Sequence, residues 1–133
     1  MIKSAKLKAF MKIRTHKDLD VYKLSFEAAM RIFNISKAFP KEETYSLTDQ
    51  VRRSSRSVCG NICEAFRKRR YPKSFVAKLS DSEGESAETQ NWLDFALSCS
   101  YITEEAHLEL YNTYENIIGK LVIMSKHPEN WSL

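Results

Sequence analysis

Apolar residues recur along this chain at helical spacing in four blocks. From about Asp18 to Ala38, Leu19, Tyr22, Phe26, Ala29 and Phe33 repeat at three- and four-residue steps, the spacing of a core stripe. A second stripe, Val21, Leu24, Ala28, Ile32 and Ile35, runs beside it. Polar residues keep only the strip Asp20, Lys23, Glu27, Arg31 and Asn34. A helix on the outside of a lone bundle needs one apolar face. The surplus points either to burial against a second chain or to cover by the preceding arm or the 39–45 loop.

Pro40 ends the first helix, because proline disfavours the helical region for the residue before it, Phe39. A second helix is expected over about 46–69, with Ser46 as its cap and Asp49 in its first turn. Leu47, Val51, Ser55, Val58, Ile62 and Ala65 or Phe66 form its inward stripe. Pro72 suits the first turn of a third helix, about 72–101, where it has no donor to lose. That helix carries Phe75, Leu79, Ser82, Ser86, Thr89, Leu93, Ala96 and Ser100 at core spacing. Thr103 caps a fourth helix, about 104–125, with Glu104 and Glu105 in its first turn. Its apolar face holds His107, Leu110, Tyr111, Tyr114, Ile117, Ile118, Leu121 and Val122. Four amphipathic helices with short connections predict an all-α fold, an up-down-up-down antiparallel four-helix bundle over 17–126. A basic arm, 1–16, precedes it and a tail, 127–133, follows. No alternating run or NG or DG turn suggests a strand.

Folding the second and third helices back on each other around 68–71 sets Ile62 level with Leu79 and Cys59 with Ser82. Ser55 then meets Ser86, and Val51 meets Gln90. The small residues of both helices fall at one level, where backbones approach closely and hydroxyls can bond nearby carbonyls. This register puts Arg56 near Glu85 and Arg52 near Glu88 and Thr89, with Arg53 one residue round. An ion-pair network between the helices is the expected role of these arginines.

Charge adds a second theme. The 133 residues are 29% charged and 43% hydrophobic, with a net charge of +4. Residues 1–71 hold 17 Lys and Arg against 7 Asp and Glu, and residues 72–133 hold 4 against 10. A basic half and an acidic half suit an anionic partner, self-neutralisation on folding, or copies that meet basic side to acidic side. Arg67, Lys68, Arg69 and Arg70 have no acidic partner in this register. They gain from the helix C-terminus, and they are also candidates for phosphate contact, with Tyr71 able to stack on a base. Lys3, Lys6, Lys8, Lys12 and Arg14 extend the candidate basic surface into the arm.

Little points to catalysis. His16, His107 and His127 fall on an arm, a core stripe and a tail. There is no Gly-rich phosphate loop and no Glu-x-x-His pair of a di-metal bundle. Asp81, Glu83, Glu85, Glu88 and Asp94 spread round one helix. Cys59, Cys63 and His107 supply three candidate zinc ligands without an evident fourth, so buried, reduced thiols and no metal or other cofactor are expected. No apolar run reaches the about 20 residues that span a bilayer, and the basic start lacks a secretory pattern, so a cytoplasmic protein without membrane partners is expected.

The runs HKDLDVY at 16–22, FP at 39–40, YSLTDQVRRSSRSVCGNICEAFRKR at 45–69 and AETQNWLDFALSCSYI at 87–102 are more specific together than apart. They resemble, over about residues 16–125, the four-helix bundle proteins encoded in 23S ribosomal RNA intervening sequences. The resemblance implies a bundle assembled as a ring, typically a pentamer. It also implies likeness to the accessory protein of diversity-generating retroelements, a basic barrel that binds a reverse transcriptase and nucleic acid. The motif residues carried over are Gln50, Arg52, Arg53, Asn61, Glu64, Glu88, Thr89 and Gln90; Arg56 and Glu85 join them in the expected network. Two positions depart from the pattern: Ala65-Phe66 replaces a common glycine-aromatic pair, and Ser100 stands where glycine is usual. The function expected is a non-catalytic oligomeric adaptor that binds RNA or DNA, with a reverse transcriptase or other protein as a further partner. The alternative is a protein scaffold whose charges serve assembly.

Overall fold

Helix starts and stops follow local chemistry. The computed structural model describes residues 13–131, in four α-helices: α1 (Asp20–Ser36), α2 (Leu47–Arg67), α3 (Pro72–Ser98) and α4 (Glu104–Lys126). Short 3-10 turns occupy His16–Asp18, Lys41–Glu43 and Pro128–Asn130. Most of the expected arm therefore lies outside the described residues. Its end is built: Asp18 accepts the backbone N–H groups of Arg14 and Thr15 at 2.8 and 3.0 Å, in a capping box with Thr15.

Pro72 is the first residue of α3, and Thr103 caps α4 by accepting the Ala106 N–H at 3.1 Å. Ser46 does not cap α2 with its side chain. Its hydroxyl donates to Glu43 Oε1 at 2.6 Å, and that same oxygen accepts the Leu47 N–H at 3.3 Å. A carboxylate three residues upstream is the stronger acceptor, and it takes the orphan donor of the helix start. Tyr101 donates its hydroxyl to Glu43 Oε2 at 2.9 Å, which ties the α1–α2 connection to the end of α3.

α1 and α3 stop short of the expected 38 and 101. After Ser36 the chain tightens into three-residue hydrogen bonds, ending with Phe39 N–H to the Ser36 carbonyl at 3.1 Å. After Ser98, Ser100 turns to φ 63°. The Ser100 N–H then donates to the Leu97 carbonyl and the Tyr101 N–H to the Ala96 carbonyl. This is the Schellman closure of a helix, with Ser100 at its left-handed position.

Contacts between helices set the topology. Cys63 reaches His16 and Arg52 reaches Ser36; Thr89 reaches Ser54 and Lys78 reaches Glu64; Asp94 reaches His107 and Gln90 reaches Glu115. In each pair of neighbours, residue numbers rise on one helix as they fall on the other, so successive helices are antiparallel. α1 also packs on α4, where Arg31 pairs with Glu109 at 2.6 Å. The result is the expected up-down-up-down bundle.

The core runs through Ile32, Val51, Val58, Ile62, Phe75, Leu79, Leu93, Leu110, Tyr114, Ile117 and Leu121, all fully buried. A polar layer of buried Ser54, Ser55, Ser82, Ser86 and Thr89 crosses the α2–α3 seam. Its hydroxyls are satisfied at short range: Ser82 donates to the Val58 carbonyl at 2.9 Å and Ser86 to the Ser82 carbonyl at 2.9 Å. On α1 both expected stripes are buried only in part: Leu19 and Ala29 of the first, and Val21, Ala28 and Ile32 of the second. Val21, Ser25, Ala28, Ala29, Ile32 and Ser36 are buried, whereas Phe26 is 49% and Met30 44% exposed, and Tyr22 and Phe33 are half-buried. The smaller side chains let α1 approach its neighbours, and Ser25 hides its hydroxyl on the Val21 carbonyl at 2.7 Å.

Candidate nucleic-acid interface

The arginines of α2 divide between two seams. Arg53, rather than Arg52 or Arg56, faces α3: it lies 2.9 Å from Glu88, 3.8 Å from Glu85 and 3.0 Å from Gln50 Oε1. Trp92 Nε1 donates to the same Glu88 oxygen at 3.3 Å. Burial and the adjacent Glu88 carboxylate hold Glu85 above the ordinary carboxylate range. The expected level of α2 against α3 is correct, but the helix is turned by one residue. Ser54 and Val58, not Ser55 and Cys59, bond across to α3.

That turn sends Arg52 and Arg56 toward α1. Arg52 Nε donates to Ser36 Oγ at 2.8 Å, and its guanidinium lies 4.8 Å over the Phe33 ring. Arg56 lies 5.6 Å over the same ring. Beside them is a surface cleft of about 600 Å³. Phe33 and Ser36 have no place in the sequence-level network. Their only signal is a Phe and a Ser three residues apart on a flank that looks like core.

At the end of α2 and just past it, Arg67, Lys68 and Arg70 are exposed. Arg69 departs from the expected cluster: it folds back 3.6 Å over the Phe66 ring and is half-buried. Burial, and then the Arg67 charge, lower its pKa. Arg70 lies 5.3 Å over the Tyr71 ring, so the ring proposed for base stacking already carries a cation on one face. Arg14 is exposed beside the first turn; Lys3, Lys6, Lys8 and Lys12 lie outside the described residues.

A family model described as 23S rRNA-intervening sequence protein matches residues 17–122. The chain belongs to this family. A solved structure of a protein with unknown function from the S23 ribosomal protein family, from Bacteroides thetaiotaomicron VPI-5482, is similar to it. The two are 31% identical with a TM-score of 0.72, covering 80% of this chain and 95% of that one. No curated protein matches.

In this member of the intervening-sequence family, the motif residues Glu64, Thr89 and Gln90 act as clips between helices. Glu64 pairs with Lys78 at 2.7 Å. Gln90 Nε2 donates to the Tyr111 carbonyl at 3.2 Å and to Glu115 at 2.9 Å. Thr89 Oγ1 lies 2.8 Å from Ser54 Oγ and 2.9 Å from the Glu85 carbonyl. Asn61 donates to the Ser57 carbonyl within α2.

The histidines and thiols do not gather at one place; one His–Cys pair forms. His107 Nε2 meets Asp94 at 2.7 Å, and His16 Nδ1 meets Cys63 Sγ at 3.5 Å. Cys59 is buried and its thiol is pushed up to about 11 by burial. Cys63 is half-buried, and Cys99 is exposed rather than buried as expected, because α3 ends beside it. Among the described residues no group of three or more His, Cys, Asp and Glu could hold a metal ion. No helix among them is long and apolar enough to cross a membrane.

Proposed function

We propose that the protein is a non-catalytic homo-oligomeric adaptor that binds RNA or DNA through basic surfaces. One observation carries this reading: α2 ends in positive charge that no carboxylate among the described residues meets in an ion pair. Among the described residues, Arg67, Lys68 and Arg70 have no ion-pair partner within 4.0 Å, and neither do Arg52 and Arg56 further up the helix. Arg56 and Arg67 are about three turns apart and so share a side of α2, roughly 16 Å along its axis. That length suits several backbone phosphates. The same observation argues for little base preference, since phosphate contacts position without specifying.

Self-association is supported by the exposed Phe26 and Met30 on α1 and by the opposite charge of the two halves of the chain. A ring of five copies is what the family resemblance adds. The scaffold reading has its own support, an apolar groove of about 390 Å³ lined by Trp92, Phe95 and the 94% exposed Tyr45.

Fluorescence anisotropy with a labelled 20-nucleotide oligo-U RNA and a labelled duplex DNA tests the proposal. Affinity is expected to fall about 100-fold between 50 and 200 mM salt, as for five released counterions on a single strand. Absence of binding to either probe at 50 mM salt would leave the scaffold reading standing alone.

A further inference from the structure

The cleft beside Arg52 and Arg56 has features that a solvated arginine pair lacks. Both guanidinium groups lie over one ring, Phe33, which the Lys37 ammonium also reaches at 4.8 Å, so packing sets their positions before any ligand arrives. Arg52 spends Nε on Ser36 and leaves its two terminal nitrogens directed elsewhere, the end of the fork that grips an oxyanion. Thr48 also lines the cleft; among the described residues its hydroxyl has no hydrogen-bond partner. Asp49 is the one carboxylate on the lining, and it forms no ion pair with these arginines. Arg53, at the rim, is already neutralised by Glu85 and Glu88. Two preset cations, a hydroxyl donor and room of about 600 Å³ fit a phosphoryl oxyanion.

We propose that this cleft is a phosphoryl-binding seat, with Arg52 and Arg56 as its cationic groups and Thr48 as a hydroxyl donor. The source of the phosphoryl group is a nucleic-acid backbone if the function proposed above is right, and that part alone rests on it. Asp49 tempers the affinity, because a carboxylate beside a bound oxyanion repels it.

Two probes separate the seat from its source. Line broadening of the ³¹P signal of inorganic pyrophosphate, at 50 mM salt, reads the seat. It is expected with the parent protein and lost in Arg52→Gln/Arg56→Gln. Anisotropy of the oligo-U RNA reads the source. The double variant is expected to bind about 10- to 100-fold more weakly, with a salt slope lower by about 1.4. Pyrophosphate broadening lost with RNA binding unchanged would keep the seat and assign it to a free phosphate compound. Broadening that persists in the double variant overturns the proposal. So does a drop in assembly mass by light scattering with broadening intact, which would assign the arginines to an acidic side chain of a second copy. Asp49→Asn guards against a folding artefact, since damage does not tighten binding. It is expected to strengthen pyrophosphate binding about threefold, and no gain counts against the seat even if the double variant unfolds.

Discussion

Ser100 holds a backbone conformation that glycine adopts at little cost. Its φ of 63° puts Cβ against the following carbonyl, a penalty of about 1–2 kcal/mol for an ordinary residue. Glycine removes that penalty but gains freedom in the unfolded chain, which returns about 0.4–1 kcal/mol. Ser100→Gly is therefore expected to stabilise the protein by roughly 0.5–1 kcal/mol. Thermal denaturation should show Tm higher by a few degrees, and an unchanged or lower Tm would contradict the account of the α3 terminus. The departure at this position is visible in the sequence only against the family pattern. Its reason, the Schellman closure through Ala96 and Leu97, is visible only in the fold. Other single residues are less legible still. Ser25 and Ser36 look like surface and are buried, because each hydroxyl donates to a carbonyl of its own helix.

Between elements, one carboxylate does most of the joining at one end of the bundle. Glu43 accepts from the start of α2 on one oxygen and from Tyr101 on the other. The Ser46 hydroxyl first, then the Tyr101 hydroxyl, hold its pKa below the ordinary 4.5. A carboxyl more acidic in the fold than in the unfolded chain stabilises above pH 4.5. That contribution is lost as pH falls through the lower folded value. Tyr101 is pushed up to about 12 from 10.0, chiefly by its bond to Glu43, so its contribution is full below pH 10 and is lost as pH rises toward 12. Glu43→Gln is expected to lower Tm at pH 6 and to flatten the acid side of the Tm–pH profile below pH 4.5. A variant profile parallel to the parent's across pH 2.5–6 would exclude this clamp. The sequence makes the helices and their levels legible, because proline, capping threonine and apolar spacing act locally. Rotation about a helix axis is harder. On α1, two stripes have helical spacing, and the aromatic residues of one, Tyr22, Phe26 and Phe33, stay partly or half exposed. On α2, one residue of rotation moves Arg53 to the acids of α3 and sends Arg52 and Arg56 to Phe33. The candidate site was thus legible as basic residues but not as a cleft, since its platform comes from another helix.

At the scale of the whole molecule, the outward stripe of α1 and the basic side of α2 are neighbours, and assembly would govern both. Covering the exposed parts of Phe26 and Met30 is worth about 1 kcal/mol each. That is modest in one contact, but it recurs at every interface of a closed ring, where one face of each copy meets a different face of the next. Light scattering is expected to give a multiple of 15.5 kDa for the parent. Phe26→Lys/Met30→Glu should return a single chain with its helical circular dichroism retained. Assembly would also present the arginine cleft once per copy to the same nucleic acid. Linked sites of this kind raise affinity about 10²- to 10⁴-fold without any new contact. The single-chain variant is therefore expected to lose RNA affinity by at least about 100-fold while it broadens pyrophosphate as the parent does. Full RNA affinity in a variant of 15.5 kDa would show that one copy suffices and that the ring serves something else.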